Sequence, residues 1–186
     1  MFNFIDHIKN FSNLAKRVPM AAKLAKFPTV QFIAETRIIN NVEINIILND
    51  NFVLATAQDP TLPSGFATKH EDGRYFVYLS KFTYTHEDRE AILHHEFVHI
   101  LNGDLEHTTK RGIEHEVAAD IGACILMGEK YPVMKMLKNL RKCYTDRYGS
   151  LFTYSMINEL DKRYERVLDF DLDEYLEELP KEQRCA

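Results

Sequence analysis

The feature that most constrains the fold is a change in hydrophobic spacing near residue 80. Between residues 29 and 80, apolar residues alternate with polar ones, as in 42–48, or form the short aromatic and β-branched run 74–80; both patterns are typical of β-strands. After it, apolar residues recur every three or four positions, which predicts helices. Strands that precede helices along a chain favour the α+β class. We therefore expect a small, antiparallel-rich sheet followed by helices.

The sheet region is expected to cover 29–80. Consecutive strands of an antiparallel meander are predicted at 30–39, 42–48 and 52–57, with turn residues between them. Residues 58–73 contain two prolines and two glycines and show no periodicity, so they predict a long, mobile loop that shapes access to any site nearby. A fourth strand is predicted at 74–80.

The helical part is predicted to begin at Thr85, because Thr85 and Asp88 resemble a capping box, and this helix is expected to stop at Gly103. Other helices are predicted at 3–17, 113–127, from Tyr131 onward, 150–168 and 173–179. We expect a single domain, 1–186, made of an N-terminal helix (1–27), the sheet region (29–80), two helices that carry the chemistry (85–128) and C-terminal helices with an acidic tail (131–186).

Composition excludes several classes of protein. Of 186 residues, 45% are apolar and 27% charged, with a net charge of −5, so the chain has the balance of a globular protein rather than a disordered one. No run reaches the roughly 18 apolar residues of a membrane helix. The three cysteines show no CxxC spacing and are expected to be reduced thiols in a cytoplasmic protein. A pI near 5.9 gives no strong nucleic-acid signal.

Charge is concentrated at the two ends of the chain. Residues 1–27 carry five basic residues against Asp6, and residues 169–186 carry seven acidic residues against two basic ones. Such runs are usually solvated faces. The alternative is that the basic N-terminal helix or the acidic tail contacts a protein partner, or that the two ends contact each other.

Five of the eight histidines lie between residues 94 and 115, in a segment that begins HHEFVH. His95 and His99 are four residues apart on a predicted helix and so share one face, where two imidazoles can bind one Zn²⁺ ion. Glu96 then has the position of the general base in an HExxH motif. His94 points about 100° away from His95 on a helix and is interpreted as structural.

The next predicted helix contains EHEVAAD and offers a third ligand. Its residues 116, 119, 120 and 123 fall on one face, where two carboxylates lie among alanines. Small residues allow two helices to approach closely, which would bring Glu116 to the metal and let Asp120 accept a hydrogen bond from a liganding histidine. Asp104 and His107 remain alternative third ligands.

HHEFVH followed by EHEVAAD resembles the gluzincin class of zinc metallopeptidases. The pattern is also similar to ImmA/IrrE-type regulatory peptidases, to CAAX-processing peptidases and to metallopeptidases found beside VWA-domain proteins and in bacteriophages. The resemblance covers residues 74–128 and implies a zincin-like fold. It also suggests that the protein comes from a bacterium or a phage-infected cell. It implies one Zn²⁺ per chain, held by His95, His99 and Glu116, that activates a water for hydrolysis of peptide bonds with Glu96 as base. It also suggests that an extended substrate pairs with an edge strand at 74–80.

Other functions remain open. The chain could be an inactive zinc-binding scaffold with a structural or interaction role, a hydrolase that acts on another substrate, or a DNA-associated peptidase that uses its basic helices. Tyr144 and Tyr154 are candidates for stabilising an oxyanion, although a tyrosine in this kind of pattern is equally typical of a core.

Overall fold

The computed structural model describes residues 32–48, 65–105, 112–147 and 151–179, and these residues form an α+β fold, which confirms the predicted class. Their four strands are β1 Phe32–Ile39, β2 Val42–Leu48, β3 Gly65–Lys69 and β4 Tyr75–Leu79. Their six helices are α1 Lys81–Thr85, α2 Arg89–Leu101, α3 Ile113–Met127, α4 Tyr131–Arg147, α5 Leu151–Asp169 and α6 Leu172–Glu178. The predicted helix 3–17 and strand 52–57 lie outside the described residues.

The four strands form one mixed sheet in the order β1-β2-β4-β3. β1 and β2 are antiparallel and joined at Asn40 and Asn41, whose φ angles of 49° and 63° are those of the tight turn that suits the twist of a hairpin. β2 pairs with β4 in parallel, and β4 pairs with β3 antiparallel. The predicted meander is therefore wrong beyond its first hairpin, because β2 already has β1 on one side and β4 on the other.

The prediction of a loop over 58–73 is wrong for residues 65–69, which form β3, whereas residues 70–73 form the turn that joins β3 to β4. Phe66 stacks on Tyr78 of β4 with ring centroids 4.7 Å apart. Gly65 allows the two strands and α2 to come together, since a Cβ there would lie 2.8 Å from Cδ2 of Leu79 and 3.1 Å from Cγ2 of Ile92. Contacts with residues distant in sequence thus stabilise a strand in a segment whose hydrophobic pattern is weak. Residues 58–64 lie outside the described residues.

The expectation that 74–80 is the edge strand is also wrong. β4 is hydrogen-bonded on both sides, to β2 and to β3. Among the described strands, β3 forms the edge on this side of the sheet, and it packs against α2.

The capping box expected at Thr85 is not formed. Ser80 caps α1 instead, because its Oγ accepts a hydrogen bond of 3.0 Å from the backbone N–H of Thr83. Thr85 is the last residue of α1, and α2 begins after Asp88, whose side chain makes no capping hydrogen bond. The end of α2 is confirmed: Gly103 follows it with a φ of 72°, a conformation that glycine adopts without strain.

The later helices lie where the sequence predicts them, within one or two residues. α3 ends at Gly128, which has a φ of 69°.

Cys124 and Cys143 are free thiols, and burial raises the pKa of Cys124 to about 12, with Asp120 adding to the shift. Over the described part of the chain, no helix combines the length and the apolar character needed to cross a bilayer.

The main core lies between one face of the sheet and the helices. The sheet contributes inward-facing side chains of β2 and β4, and the helices contribute the apolar faces of α2 to α6; members of this core include Ile44, Ile46, Val77, Leu79, Leu93, Phe97, Val133 and Leu137. α2 and α3 are in close contact, because a Cβ on Gly122 would lie only 2.7 Å from Cγ1 of Val98. Small residues on α3 therefore do allow the close approach that the sequence suggested, and this approach positions the residues described next.

Candidate metal centre

Helix α2 carries the HExxH residues at its centre, where it is covered by β3 and α3. His95, Glu96 and His99 are all buried, and only 1% of His99 is exposed. The four-residue spacing places the two imidazoles on one face, with their Nε2 atoms 3.2 Å apart. The sequence-predicted pair is thus brought together by helical geometry alone.

Helix α3 adds Glu116 to this pair. One carboxylate oxygen, Oε2, lies 3.3 Å from Nε2 of His95, and the other, Oε1, lies 3.7 Å from Nε2 of His99. One ligand-type atom from each of the three residues falls within 4.8 Å of the other two. Two helices therefore converge on a cluster, His95, His99 and Glu116, that could hold a metal ion.

Each histidine of the cluster is oriented by a carboxylate on its far side. Nδ1 of His95 donates to Oδ1 of Asp120 at 2.8 Å, and Nδ1 of His99 donates to Oδ2 of Asp104 at 2.8 Å. A carboxylate oxygen accepts, so each Nδ1 must carry the proton. In the neutral ring the lone pair is then on Nε2, the atom that faces Glu116. This is the tautomer that a metal ligand needs.

Asp104 therefore lies behind His99 and not beside Glu116. Gly103 reverses the chain after α2, and the backbone N–H of Asp104 bonds to the carbonyl of His99 at 3.0 Å, which brings its side chain back to the imidazole. Its other oxygen lies 3.4 Å from Nδ1 of His115. The remaining alternative ligand, His107, lies outside the described residues.

Arg163 of α5 completes the cluster and was missed by the sequence reasoning. Its Nε and Nη2 donate to Oδ2 and Oδ1 of Asp120 at 2.7 and 2.8 Å, and its Nη1 lies 3.3 Å from Oε2 of Glu116. A signal for it exists in the sequence: Arg163 interrupts the apolar stripe that runs from Leu160 to Val167 on the inner face of α5. A buried guanidinium is found where a buried carboxylate needs a partner.

Glu96 has a different environment. Its Oε2 accepts a hydrogen bond of 2.9 Å from the backbone N–H of Ala67 on the edge strand β3. This contact was also missed, because β3 was not predicted. Of the two tyrosines considered for an oxyanion, Tyr154 is 75% exposed on α5 and Tyr144 packs against the main core.

The charges of the cluster shift its ionisation equilibria. Burial disfavours a charge on His95, but Asp120 and Glu116 outweigh it and raise the pKa of His95 from 6.5 to about 10. Burial likewise opposes ionisation of Glu116, yet its hydrogen bond to His95 and the charges of His95 and Arg163 hold the pKa of Glu116 well below its ordinary value. Without a metal, His95 is therefore a protonated partner of the two carboxylates, and a metal must displace that proton.

Comparisons with protein-family models, with curated proteins and with solved structures found no match for the chain. The function of the chain is therefore inferred from the geometry of this cluster and from the HExxH motif that it contains.

Proposed function

We propose that the chain is a zinc-dependent peptidase of the zincin type, in which His95, His99 and Glu116 hold one Zn²⁺ ion and Glu96 is the general base. The observation that carries the proposal is the convergence of two imidazole nitrogens and a carboxylate from two separate helices within 4.8 Å. The HExxH resemblance supplies the roles, and the arrangement of donors supports them.

The donor set fits zinc. Two imidazoles and one carboxylate are among the common protein ligands of catalytic zinc. A tetrahedral ion with Zn–N bonds of about 2.0–2.1 Å separates two ligand nitrogens by roughly 3.3 Å, close to the 3.2 Å between the two Nε2 atoms. The two Nε2 atoms are both acceptors in the tautomers set by Asp104 and Asp120, so they need a cation or a proton between them.

The number of ligand-type atoms that the described residues bring together is that of a catalytic zinc site. Structural zinc sites are closed by four protein ligands, whereas catalytic sites have three and leave one position open. The described residues supply three ligand-type donors to this cluster.

Bound zinc would supply Lewis acidity and lower the pKa of a water molecule towards about 7. Glu96 would accept the proton of the attacking water on a carboxylate oxygen and pass it to the leaving amine. The N–H of Ala67 holds Oε2 of Glu96 at 2.9 Å and so restricts the orientation of the carboxylate. Asp104 and Asp120 hold the two imidazoles in the required tautomer.

A peptide is the substrate class that β3 favours. An exposed edge strand can bind an extended peptide as an additional strand through main-chain hydrogen bonds. β3 replaces 74–80 as the candidate edge, because it packs against the helix that carries Glu96. Ala67 directs its N–H away from β4 and towards Glu96, so a peptide aligned with this edge would pass the general base.

Metal content is the first test. Purified wild-type protein is expected to contain about one zinc per chain by elemental analysis, and His99→Ala is expected to lose it. His94→Ala is a matched control, because His94 lies on the same helix but its Nδ1 bonds to the carbonyl of Glu90. Equal zinc in the wild type and His99→Ala would refute the assignment.

Turnover is the second test, and it separates an enzyme from a scaffold. Wild type and Glu96→Gln are compared on a proteome-derived peptide library, with and without a chelator. Glu96→Gln should keep its zinc but lose activity by about 10²–10⁴-fold, because an amide cannot take the proton. Glu114→Gln, which changes an exposed carboxylate on α3, should cleave like the wild type. Zinc-loaded wild type that cleaves no peptide would favour the scaffold.

A further inference from the structure

Arg163 is a cation in an unusual place. It lies on α5 in line with Leu160 and Val167, both of which belong to the main core, and only 8% of the residue is exposed. Removing a charge from water is costly unless its partners are well placed. The partners of Arg163 therefore decide what it contributes.

Those partners are two carboxylates of α3, and both belong to the candidate metal centre. Asp120, which is 0% exposed, receives a two-point hydrogen bond from Nε and Nη2. The remaining nitrogen, Nη1, lies 3.3 Å from Oε2 of Glu116. One planar group thus uses three nitrogens to fix two side chains that are one helical turn apart.

Each of these contacts bears on a different ligand of the cluster. Glu116 is held directly, at the oxygen that also faces Nε2 of His95. His95 is held indirectly, because the Oδ1 atom of Asp120 that accepts from Nη2 of Arg163 also accepts from Nδ1 of His95. The orientation of two of the three donors therefore depends on one residue of a third helix.

We propose that Arg163 is a positioning residue of the metal centre, which fixes the carboxylate of Glu116 and, through Asp120, the imidazole of His95. This role rests on the proposed function, since it concerns the same cluster. It assigns to α5 a part in metal binding although none of the three proposed ligands lies on α5. A guanidinium is required, because a lysine ammonium can supply the charge but not the planar three-point contact.

The same pair of helices offers a matched control. Arg166, one turn further along α5, lies 3.3 Å from Glu114 of α3, but these side chains are 59% and 70% exposed and belong to the outer surface. Arg166→Gln therefore removes an ion pair between α5 and α3 without touching the cluster. If any ion pair between α5 and α3 had the same effect on metal binding, the two substitutions would give equal losses.

The experiment measures metal binding and needs no enzymatic activity. Wild type, Arg163→Gln, Arg163→Lys and Arg166→Gln are titrated with Zn²⁺ against a chromophoric chelator, and the visible absorption of bound Co²⁺ reports the ligand geometry. We expect Arg163→Gln to bind Zn²⁺ about 10–100-fold more weakly, as is typical for partners of metal ligands. Arg163→Lys should recover part of this loss, both variants should show an altered Co²⁺ spectrum, and Arg166→Gln should match the wild type.

Wild-type affinity and an unchanged Co²⁺ spectrum in Arg163→Gln would overturn this proposal alone, as would an equal loss in Arg166→Gln. Absence of metal binding by the wild type would overturn the proposed function and this proposal with it. If Arg163→Gln does not fold, the double variant Asp120→Asn/Arg163→Gln removes both buried charges. It should bind Zn²⁺ more weakly than Asp120→Asn, because Glu116 still lacks its partner; equal affinities would refute the role.

Discussion

Glu116 and Asp104 are the two carboxylates considered as the third metal ligand, and they face different nitrogens of the imidazoles. Glu116 faces the Nε2 atoms at 3.3 and 3.7 Å, whereas Asp104 lies 2.8 Å from Nδ1 of His99, on the opposite side of the ring. Glu116→Ala would remove a direct donor and Asp104→Ala only the group that orients one. Loss of an orienting group typically weakens metal binding about 10–100-fold, or about 1.4–2.7 kcal/mol. Glu116→Ala should therefore cost more than about 100-fold.

The assay is competition for Zn²⁺ with a chelator of known affinity at one pH, after circular dichroism has shown that each variant is folded. Asp104→Asn is a finer probe, because its amide oxygen still accepts from Nδ1 of His99; it should bind more tightly than Asp104→Ala. Glu114→Ala is the control, since Glu114 is exposed on the same helix as Glu116. A larger loss for Asp104→Ala than for Glu116→Ala would refute the assignment of the ligand.

Three further outcomes are expected. Ala67→Pro removes the N–H that holds Glu96 without breaking the pairing with β4. It should lower kcat about 10–100-fold at unchanged zinc affinity, which is the effect of losing a hydrogen bond to a charged group. A loss of zinc affinity as large as the loss of kcat would contradict this. The metal-free protein should become less stable as pH rises from 6.5 to about 10, because a raised pKa of His95 stabilises the fold only while the ring is protonated. Urea unfolding at pH 6 and pH 9 tests this, and in His95→Gln the free energy of unfolding should differ less between the two pH values. Gly122→Ala should lower the free energy of unfolding by about 1–3 kcal/mol, since its Cβ would meet Val98 at 2.7 Å; unchanged stability would show that α2 and α3 can separate without cost.

Much of the candidate site could be predicted because it depends on local periodicity. A spacing of four residues places His95 beside His99 on any helix, and the same spacing relates Glu116 to Asp120. The approach of the two helices also has a local signature, since the shared face of α3 carries small residues such as Ala119 and Gly122. These relations depend on residues within one or two turns of each other.

The edge strand shows where local patterns are insufficient. The sequence of β3, GFATK, has one aromatic residue, a glycine and no alternation strong enough to distinguish a strand from a loop. Its conformation is determined by β4, with which it pairs, and by α2, on which it packs. Because both contacts are distant in sequence, neither the strand nor its hydrogen bond to Glu96 could be derived from composition.

Arg163 shows the same limit for the chemistry. It lies 43 residues after Asp120, so no spacing rule connects the two. Its position among buried residues of α5 could have been read as a sign that a buried anion exists, but several carboxylates could have been that anion. The choice is made by the packing of α5 on α3, which brings three nitrogens of one side chain onto two carboxylates. The proposed site, with ligands from two helices and their positioning from a third, would therefore depend on the whole helical layer. For this reason the affinity of Arg163→Gln for Zn²⁺, and not its stability alone, measures what α5 contributes.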